Sequence, residues 1–418
     1  MIPPATSDVL PNRTAVWVCL AFAAAYFIST LLRAVTATLA PVLSAEWQLQ
    51  ARDLGLLASG YFVGFSAVQL PMGRWLDRYG PKRVIALFLS VAIVGCVAFA
   101  TANGFYGLLL ARVLIGAGLG ACLMAPLTGY RRWLLPHVRL RANSWMLMVG
   151  ALGMVAATLP VQWLLPLWGW RGVFWVVATA LVLVVLVLVW RVPAWGPSVT
   201  AVSTPVADDV AVAQGYGDIW QHPYFQKMAL IGAINYGGMI AIQTLWAGPW
   251  LVKVAGYTPA QAAEGLFGIN VAMLVAFWLW GLVNPHLAQR GWSAQRLITW
   301  GMPLGLLVLV VNVVLGPQAG GVAWALFCVC STFGSLAQPS VALAFPAQMA
   351  GRALSAYNLV IFCGVFAVQW GLGLLIDAFV AWGWPEPQAM QGALGVYAFT
   401  CLLCYAGYWL RKTDNPTP

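Results

Sequence analysis

The stretch PMGRWLDRYGPKRV, residues 71–84, joins two long apolar segments through a short and strongly basic connection. Gly80 precedes Pro81, and a glycine at this point permits a tight turn that sends the chain back in the opposite direction. Gly73 leaves room for two helices to approach each other closely. Asp77 is placed to pair with a neighbouring arginine. The stretch therefore predicts a helical hairpin with two apolar arms.

The composition indicates the environment of this hairpin. Hydrophobic residues occupy 62% of the 418 positions, charged residues occupy 8%, and the mean hydropathy is +0.83. So little polar surface does not cover a water-soluble globule, and the chain is expected in lipid. A membrane β-barrel would need short segments of alternating polarity, whereas the run 173–190 shows no alternation. The expected fold is an all-α polytopic membrane protein.

Apolar stretches of about 20 residues, enough to span the hydrocarbon core, divide the chain into two similar halves. Twelve are predicted, at roughly 15–40, 54–76, 83–102, 104–129, 142–165, 171–192, 226–252, 260–283, 295–315, 320–345, 353–379 and 389–410. Pro, Ser, Asp and Gly are frequent between the sixth and the seventh, which is typical of a linker. We therefore expect a six-helix half over 1–192, a cytoplasmic linker over 193–225 and a second six-helix half over 226–418.

The charged residues of the connections predict the orientation of the chain, whose net charge is +10. If twelve helices alternate across a membrane, one side receives most of the cations: Arg13, Arg74, Arg78, Lys82, Arg83, Arg131, Arg132, Arg139, Arg141, Arg191, Lys227, Arg290, Arg296, Arg352, Arg411 and Lys412. The other side receives Arg52, Arg171 and Lys253. Cations concentrate in cytoplasmic loops, so both termini are expected in the cytoplasm, with the chain in a bacterial inner membrane. This sidedness accounts for the positive charge without a nucleic-acid partner.

Four stretches resemble the signatures of one family of carriers. The loop signature of the major facilitator superfamily, G-x-x-x-D-R-x-G-x-[KR]-[KR], is matched by Gly73, Asp77, Arg78, Gly80, Lys82 and Arg83. RVLIGAGLG, residues 112–120, resembles the R-x-x-x-G-x-G pattern of the family's fourth span. GWRGVFWV, residues 169–176, and GRALSAYNLVIFCG, residues 351–364, resemble the starts of its sixth and eleventh spans. Together the resemblance covers nearly the whole chain.

The resemblance implies two parallel halves, each built of inverted three-helix repeats, that rock about a central substrate site. It also implies that the loop 73–83 is a gate whose contacts stabilise the outward-open state. Arg112 joins this gating set, because an arginine in a membrane helix normally faces the bundle or a cavity. The alternative for Arg112 is to extend toward the membrane surface, since it lies near an outer end of its span.

Arg33 is a permanent cation well inside the first predicted span. Tyr26, Ser29 and Arg33 recur at steps of three and four, so they share one helix face that offers two hydroxyls and a guanidinium to a carboxylate or phosphate. This face resembles the first span of organophosphate and organic-anion carriers of the superfamily. The phosphate-ester carriers have a partner arginine in span seven, where this chain has Gln243. A monocarboxylate or similar small anion is therefore favoured, and a structural role for Arg33 is the alternative.

Further polar residues of the second half are candidates for the lining of a substrate cavity. They are Tyr236, Gln243, Asn270, Gln338, Asn358 and Gln369. Each amide is equally suited to join two helices, because amides hydrogen-bond across membrane helices for about 1 kcal/mol.

The coupling ion is left open by the sequence. Glu264 and Asp377 are close to outer ends of spans, and no Asp, Glu or His lies in the middle of one. Proton symport, uniport and anion exchange therefore all remain. No cofactor or metal is expected, since the eight cysteines lie in apolar segments and no histidine cluster suits an enzyme. The predicted partners are a small anionic substrate, the lipid bilayer and, as an open alternative, protons; the chain is expected to be a monomer.

The predicted function is secondary active or facilitative transport of a small organic anion such as a monocarboxylate. Two alternatives remain. One is proton-linked export of amphiphilic drugs, against which the fifth span argues, because Gly150 and Gly153 stand there without the Gly-Pro pair of many such exporters. The other is a membrane sensor that binds a ligand without transporting it.

Overall fold

The computed structural model describes residues 10–195 and 216–411, and the regular structure in these ranges is helical. The first six long helices are α1 (Arg13–Trp47), α2 (Ala51–Ala67 with Gln69–Leu76), α3 (Arg78–Thr101), α4 (Phe105–Trp133), α5 (Pro136–Ala156 with 159–168) and α6 (170–191). The second six are α7 (Pro223–Lys253), α8 (Pro259–Gln289), α9 (Ala294–Leu315), α10 (Gly321–Leu343), α11 (Ala347–Ala381) and α12 (Glu386–Leu410). The predicted all-α fold of two six-helix halves is confirmed.

Most of these helices are long and apolar enough to cross a membrane. Ten of the described helices meet this condition individually, and α2 makes eleven when its two parts, bent by 40°, form one span. Gly169, with φ +61° and ψ 175°, separates α5 from α6 within one continuous run of chain. The start of α5 carries Arg139 and Arg141, which makes that helix more polar than its neighbours.

Two ends of the bundle are distinguished below. The basic end carries residues 10–13, the α2–α3 connection and Arg411, and the opposite end carries the α1–α2 and α11–α12 connections. The sequence predicts that the basic end faces the cytoplasm.

Helices α2 and α4 pack closely within the first half. A Cβ atom added to Gly116 would lie 1.9 Å from the carbonyl oxygen of Tyr61, and one added to Gly64 would lie equally close to the carbonyl oxygen of Val113. Only a residue without a side chain fits such a contact. The expectation that the small residues of 112–120 allow close helix packing is confirmed.

The two halves meet at the opposite end, chiefly along a seam between α2 and α11. A Cβ on Gly55 would lie 2.4 Å from the carbonyl oxygen of Gln369, and a Cβ on Gly373 would lie 2.5 Å from that of Ala51. A second contact joins α1 and α7, where Gly248 faces the backbone of Ala37. The opposite end is therefore closed by direct contact between backbones.

The α2–α3 connection shows one predicted feature and lacks another. Gly80 has φ +76° and ψ 163°, and a Cβ there would lie 2.2 Å from the side chain of Trp195, so the predicted tight turn is confirmed. The space around Gly73 is open, with no atom of the described residues within 4 Å of an added Cβ. No helix approaches Gly73 closely in this state, and its expected role in a close helix approach stays a prediction. The Asp77 side chain lies outside the described part of the structure, so its pairing stays a prediction.

The predicted linker, 193–225, is described only at its two ends, since residues 196–215 lie outside the described ranges. At its start, Trp195 packs edge-on against Trp133 with ring centroids 6.0 Å apart, and the Arg132 guanidinium lies 4.7 Å from the Trp195 ring. At its end, a short helix, Tyr216–Gln221, precedes α7, which begins at Pro223 and thus slightly earlier than predicted.

Candidate functional site

Arg33 lies on α1 at the seam between the halves. Its guanidinium carbon is 5.5 Å from the ring centroid of Phe65 on α2 and 5.8 Å from that of Phe362 on α11. The side chain is half-buried, and its Nε atom is enclosed without a hydrogen-bond partner among the described residues. No described carboxylate pairs with it. The site therefore presents an uncompensated cation between two aromatic rings, one from each half.

The two rings are themselves in contact across the seam. Phe65 meets Phe362 edge-on at 4.8 Å between centroids, and Phe62 stacks on Phe362 at 5.8 Å. Phe62 and Phe362 also line an apolar cleft of about 340 Å³ between α2 and α11, together with Ser66. Neither Arg33 nor Phe65 lines this cleft, and the rings beside the guanidinium are those of Phe65 and Phe362.

Three tyrosine hydroxyls lie within electrostatic range of the Arg33 guanidinium: those of Tyr26, Tyr61 and Tyr236. Tyr236 is half-buried on α7, and Tyr26 packs against Gly150 on α5. These two predicted residues are thus brought together with Arg33, although they belong to different halves.

Ser29, the third predicted residue of the α1 face, is hydrogen-bonded to Tyr61. Its Oγ lies 3.3 Å from the Tyr61 hydroxyl, which also donates to the Ser29 carbonyl oxygen at 3.3 Å. Ser29 is fully buried. It supports the tyrosine beside Arg33, and its role in substrate binding stays a prediction.

Arg112 is the second buried cation of the first half. It is 1% exposed, donates from Nη1 to the carbonyl oxygen of Leu32 at 3.0 Å, and donates from Nη2 to the hydroxyl of Thr36. Its guanidinium carbon also lies 5.6 Å from the Tyr61 ring centroid. The alternative in which Arg112 extends to the membrane surface is wrong, because its donors are used inside the bundle. It holds the α1 backbone at the residue before Arg33.

The predicted amides pair mainly with other protein groups. Gln243 Nε2 donates to Asn270 Oδ1 at 3.0 Å, whose own Nδ2 donates to the Leu266 carbonyl oxygen at 2.9 Å. Gln338 Nε2 donates to Asn358 Oδ1 at 2.5 Å. These pairs join α7 to α8 and α10 to α11, which favours the interhelical role over the lining of a cavity.

Gln369 is the most enclosed of these amides, with no exposed surface. Its Nε2 donates to the Thr244 hydroxyl at 3.0 Å, and its backbone carbonyl accepts from Trp246 Nε1 at 3.1 Å. Thr244 and Trp246 belong to a π-helical segment of α7, Ile242–Trp246, and a second π-helical segment of α7 spans Gly232–Tyr236. The π-helical form often marks functional sites.

The remaining predicted gating residues lie at the basic end, far along the helices from Arg33. The Arg78 guanidinium lies 5.3 Å from the ring of its neighbour Tyr79. Arg83 is exposed and Lys82 is half-buried. The described geometry does not test their gating role.

Two six-helix membrane bundles with a half-buried cation at their interface are typical of a membrane transporter. The model of the Major Facilitator Superfamily matches residues 22–369, and the chain belongs to this family. It is accordingly a transporter and not an enzyme.

Two bacterial transporters are among the curated relatives of this chain. The 4-hydroxybenzoate transporter of Pseudomonas aeruginosa is 25% identical over 363 residues, covering 78% of each chain. The niacin transporter of Acinetobacter baylyi is 23% identical over 289 residues, and the match covers 63% of each chain, less than two thirds of that relative. Among solved structures, a bacterial homologue of the human lysosomal transporter Spinster, inward-facing and unoccupied, superposes with a TM-score of 0.78 at 18% identity, covering 96% of this chain and 98% of that one.

Proposed function

We propose that the chain carries a small aromatic monocarboxylate across the membrane by alternating access, with Arg33 as the anchor for the carboxylate. The observation that carries this proposal is the Arg33 guanidinium, which lies at the seam without an acidic partner among the described residues and faces one aromatic ring from each half.

The charge of this site favours an anion. An arginine is permanently ionised, and a cation enclosed in a membrane bundle is stabilised by an anionic ligand. The guanidinium fork matches a carboxylate in shape and offers it two parallel hydrogen bonds. The hydroxyls of Tyr26 and Tyr236 lie within electrostatic range of the same guanidinium.

The rings of the site favour an aromatic anion over an aliphatic one. The ring centroids of Phe65 and Phe362 lie 5.5 Å and 5.8 Å from the guanidinium carbon, so both rings are available to contact an aromatic substrate bound there. The two curated relatives described above are transporters of 4-hydroxybenzoate and niacin, both of which are aromatic monocarboxylates. This agreement supports the proposed substrate class.

We further place the basic end in the cytoplasm of a bacterial inner membrane, as the distribution of cations predicts. The structure then corresponds to a state closed toward the outside, because its inter-half seam lies at the opposite end. In the reverse state, the loop 73–83 would make the contacts that close the cytoplasmic side.

A thermal-shift screen of the purified protein tests the proposal, since a ligand that binds the folded state raises its melting temperature. We expect 4-hydroxybenzoate and niacin to stabilise the wild type, and nicotinamide, which lacks the carboxylate, to have no effect. Arg33→Gln should abolish the response. Arg171→Gln is the matched control, because Arg171 is a half-buried cation that already has an acidic partner, Glu46, 2.6 Å away. Equal responses of wild type and Arg33→Gln would refute the role of Arg33.

A further inference from the structure

Asp377, near the end of α11, accepts two backbone hydrogen bonds from the other half of the protein. Its Oδ1 accepts from the N–H of Ala51 and its Oδ2 from the N–H of Arg52, each at 3.1 Å. Ala51 and Arg52 are the first residues of α2. The first N–H groups of a helix have no partner within the helix, and the helix dipole favours negative charge at this point. One carboxylate thus caps a helix of the opposite half.

The backbone packing beneath Asp377 fixes this cap in place. Gly373 lies one turn earlier on α11, and a Cβ there would come within 2.7 Å of the Arg52 Cα atom. Gly55 lies one turn into α2 and faces the Gln369 carbonyl oxygen in the same way. The two helices therefore touch through their backbones on the inner side of the cap.

A second carboxylate at the same helix end behaves differently. Asp53 accepts from the N–H of Gln50 at 3.1 Å in a capping box within α2. Arg52 lies 3.8 Å from both Asp53 and Asp377, but its side chain is 53% exposed, so these ion pairs are weak. Asp53 caps the helix locally, whereas Asp377 joins it to the other half.

We propose that Asp377 is a charged latch that holds the opposite end of the transporter closed. Opening of this end separates α2 from α11, which breaks both backbone hydrogen bonds and returns the carboxylate to water. The strength of the cap therefore sets the equilibrium between the closed and open forms of this end. Asp377 lies outside the site around Arg33, so this closure can be tested without substrate.

Hydrogen exchange of the full-length protein in lipid nanodiscs, without substrate, tests the latch. Asp377→Asn keeps the shape of the side chain and removes its charge. We expect exchange at the start of α2 to become about 10- to 150-fold faster, the change for a lost hydrogen bond to a charged group. Exchange should also become faster in the α1–α7 contact around Ala37 and Gly248, which Asp377 does not touch. This distant response distinguishes opening of the whole end from loss of a local cap.

Two control variants complete the experiment. Asp53→Asn removes the same charge from the same helix end and should leave the α1–α7 contact unchanged. Gly373→Ala, which forces the seam apart, should open both contacts as Asp377→Asn does, while Gly371→Ala, with no atom within 4 Å of its added Cβ, should not. Faster exchange confined to the start of α2, no change in Asp377→Asn, or an equal effect of Asp53→Asn would each overturn the proposal. None of these readouts depends on the substrate, so failure of the latch is distinct from failure of the proposed function.

Discussion

The guanidinium carbon of Arg33 lies 5.8 Å from the ring centroid of Phe362, a residue of the other half of the protein. Phe65, from the same half as Arg33, lies at 5.5 Å. The Arg33 guanidinium therefore contacts an aromatic ring of each half where the two halves meet. A ligand that draws the guanidinium toward its carboxylate changes a contact between the halves, which gives binding a direct influence on their relative position.

Phe362→Leu tests the aromatic part of the site. We expect the Kd for 4-hydroxybenzoate to rise about fivefold, because a ring contact with the substrate contributes about 1 kcal/mol. Isothermal titration calorimetry gives the Kd directly. Phe399→Leu is the control, since Phe399 lies on the exposed face of α12. Equal Kd values for the wild type and Phe362→Leu would contradict a ring contact with the substrate.

Arg112→Gln is expected to lower the stability of the protein, in contrast to Arg33→Gln. The substitution removes the hydrogen bonds to Leu32 and Thr36 from a fully buried site, at a loss of about 2–3 kcal/mol. Arg33→Gln removes a cation that has no acidic partner in the described part of the chain, and should leave the melting temperature unchanged or higher. Thermal unfolding followed by intrinsic fluorescence compares the two variants. A lower melting temperature for Arg33→Gln than for Arg112→Gln would show that the two roles are reversed.

Gly80→Ala is expected to lower the stability of the protein, whereas Gly73→Ala is expected to leave it unchanged, although both glycines belong to the family signature. The backbone of Gly80 adopts φ +76° and ψ 163°, a region that costs other residues about 1–3 kcal/mol, and Trp195 occupies the space of a Cβ. An added Cβ at Gly73 would meet no atom of the described residues within 4 Å. Expression level and melting temperature of both variants decide between these expectations. Equal loss of stability in both would mean that Gly73 contacts a neighbour in the folded protein.

The sequence was sufficient for the fold and for the position of Arg33, the centre of the candidate site, because both depend on local patterns. Apolar stretches of spanning length predict membrane helices wherever they occur, and a lone arginine such as Arg33 is conspicuous inside one. Gly80 before Pro81 predicts a turn for the same reason. These inferences do not depend on which helices are neighbours in the folded protein.

The features that depend on helix neighbours were not predictable. Gln243 and Asn270 satisfy each other across two helices, and a sequence shows neither that contact nor the enclosed position of Gln369. Phe362 is one of 18 phenylalanines in an apolar chain, with no sequence signal that separates it from residues facing lipid. Asp377 has the sequence appearance of a charge at a membrane surface, and only the packing of α2 against α11 shows what it caps.

Uptake of radiolabelled 4-hydroxybenzoate into proteoliposomes preloaded with the unlabelled acid tests the central claim, that Arg33 anchors the substrate, most directly. The wild type and the Arg171→Gln control should exchange the label, and Arg33→Gln should reduce exchange to the level of empty liposomes while its melting temperature is retained. Exchange by Arg33→Gln at the rate of the wild type would contradict the account, because the carboxylate would then be bound elsewhere.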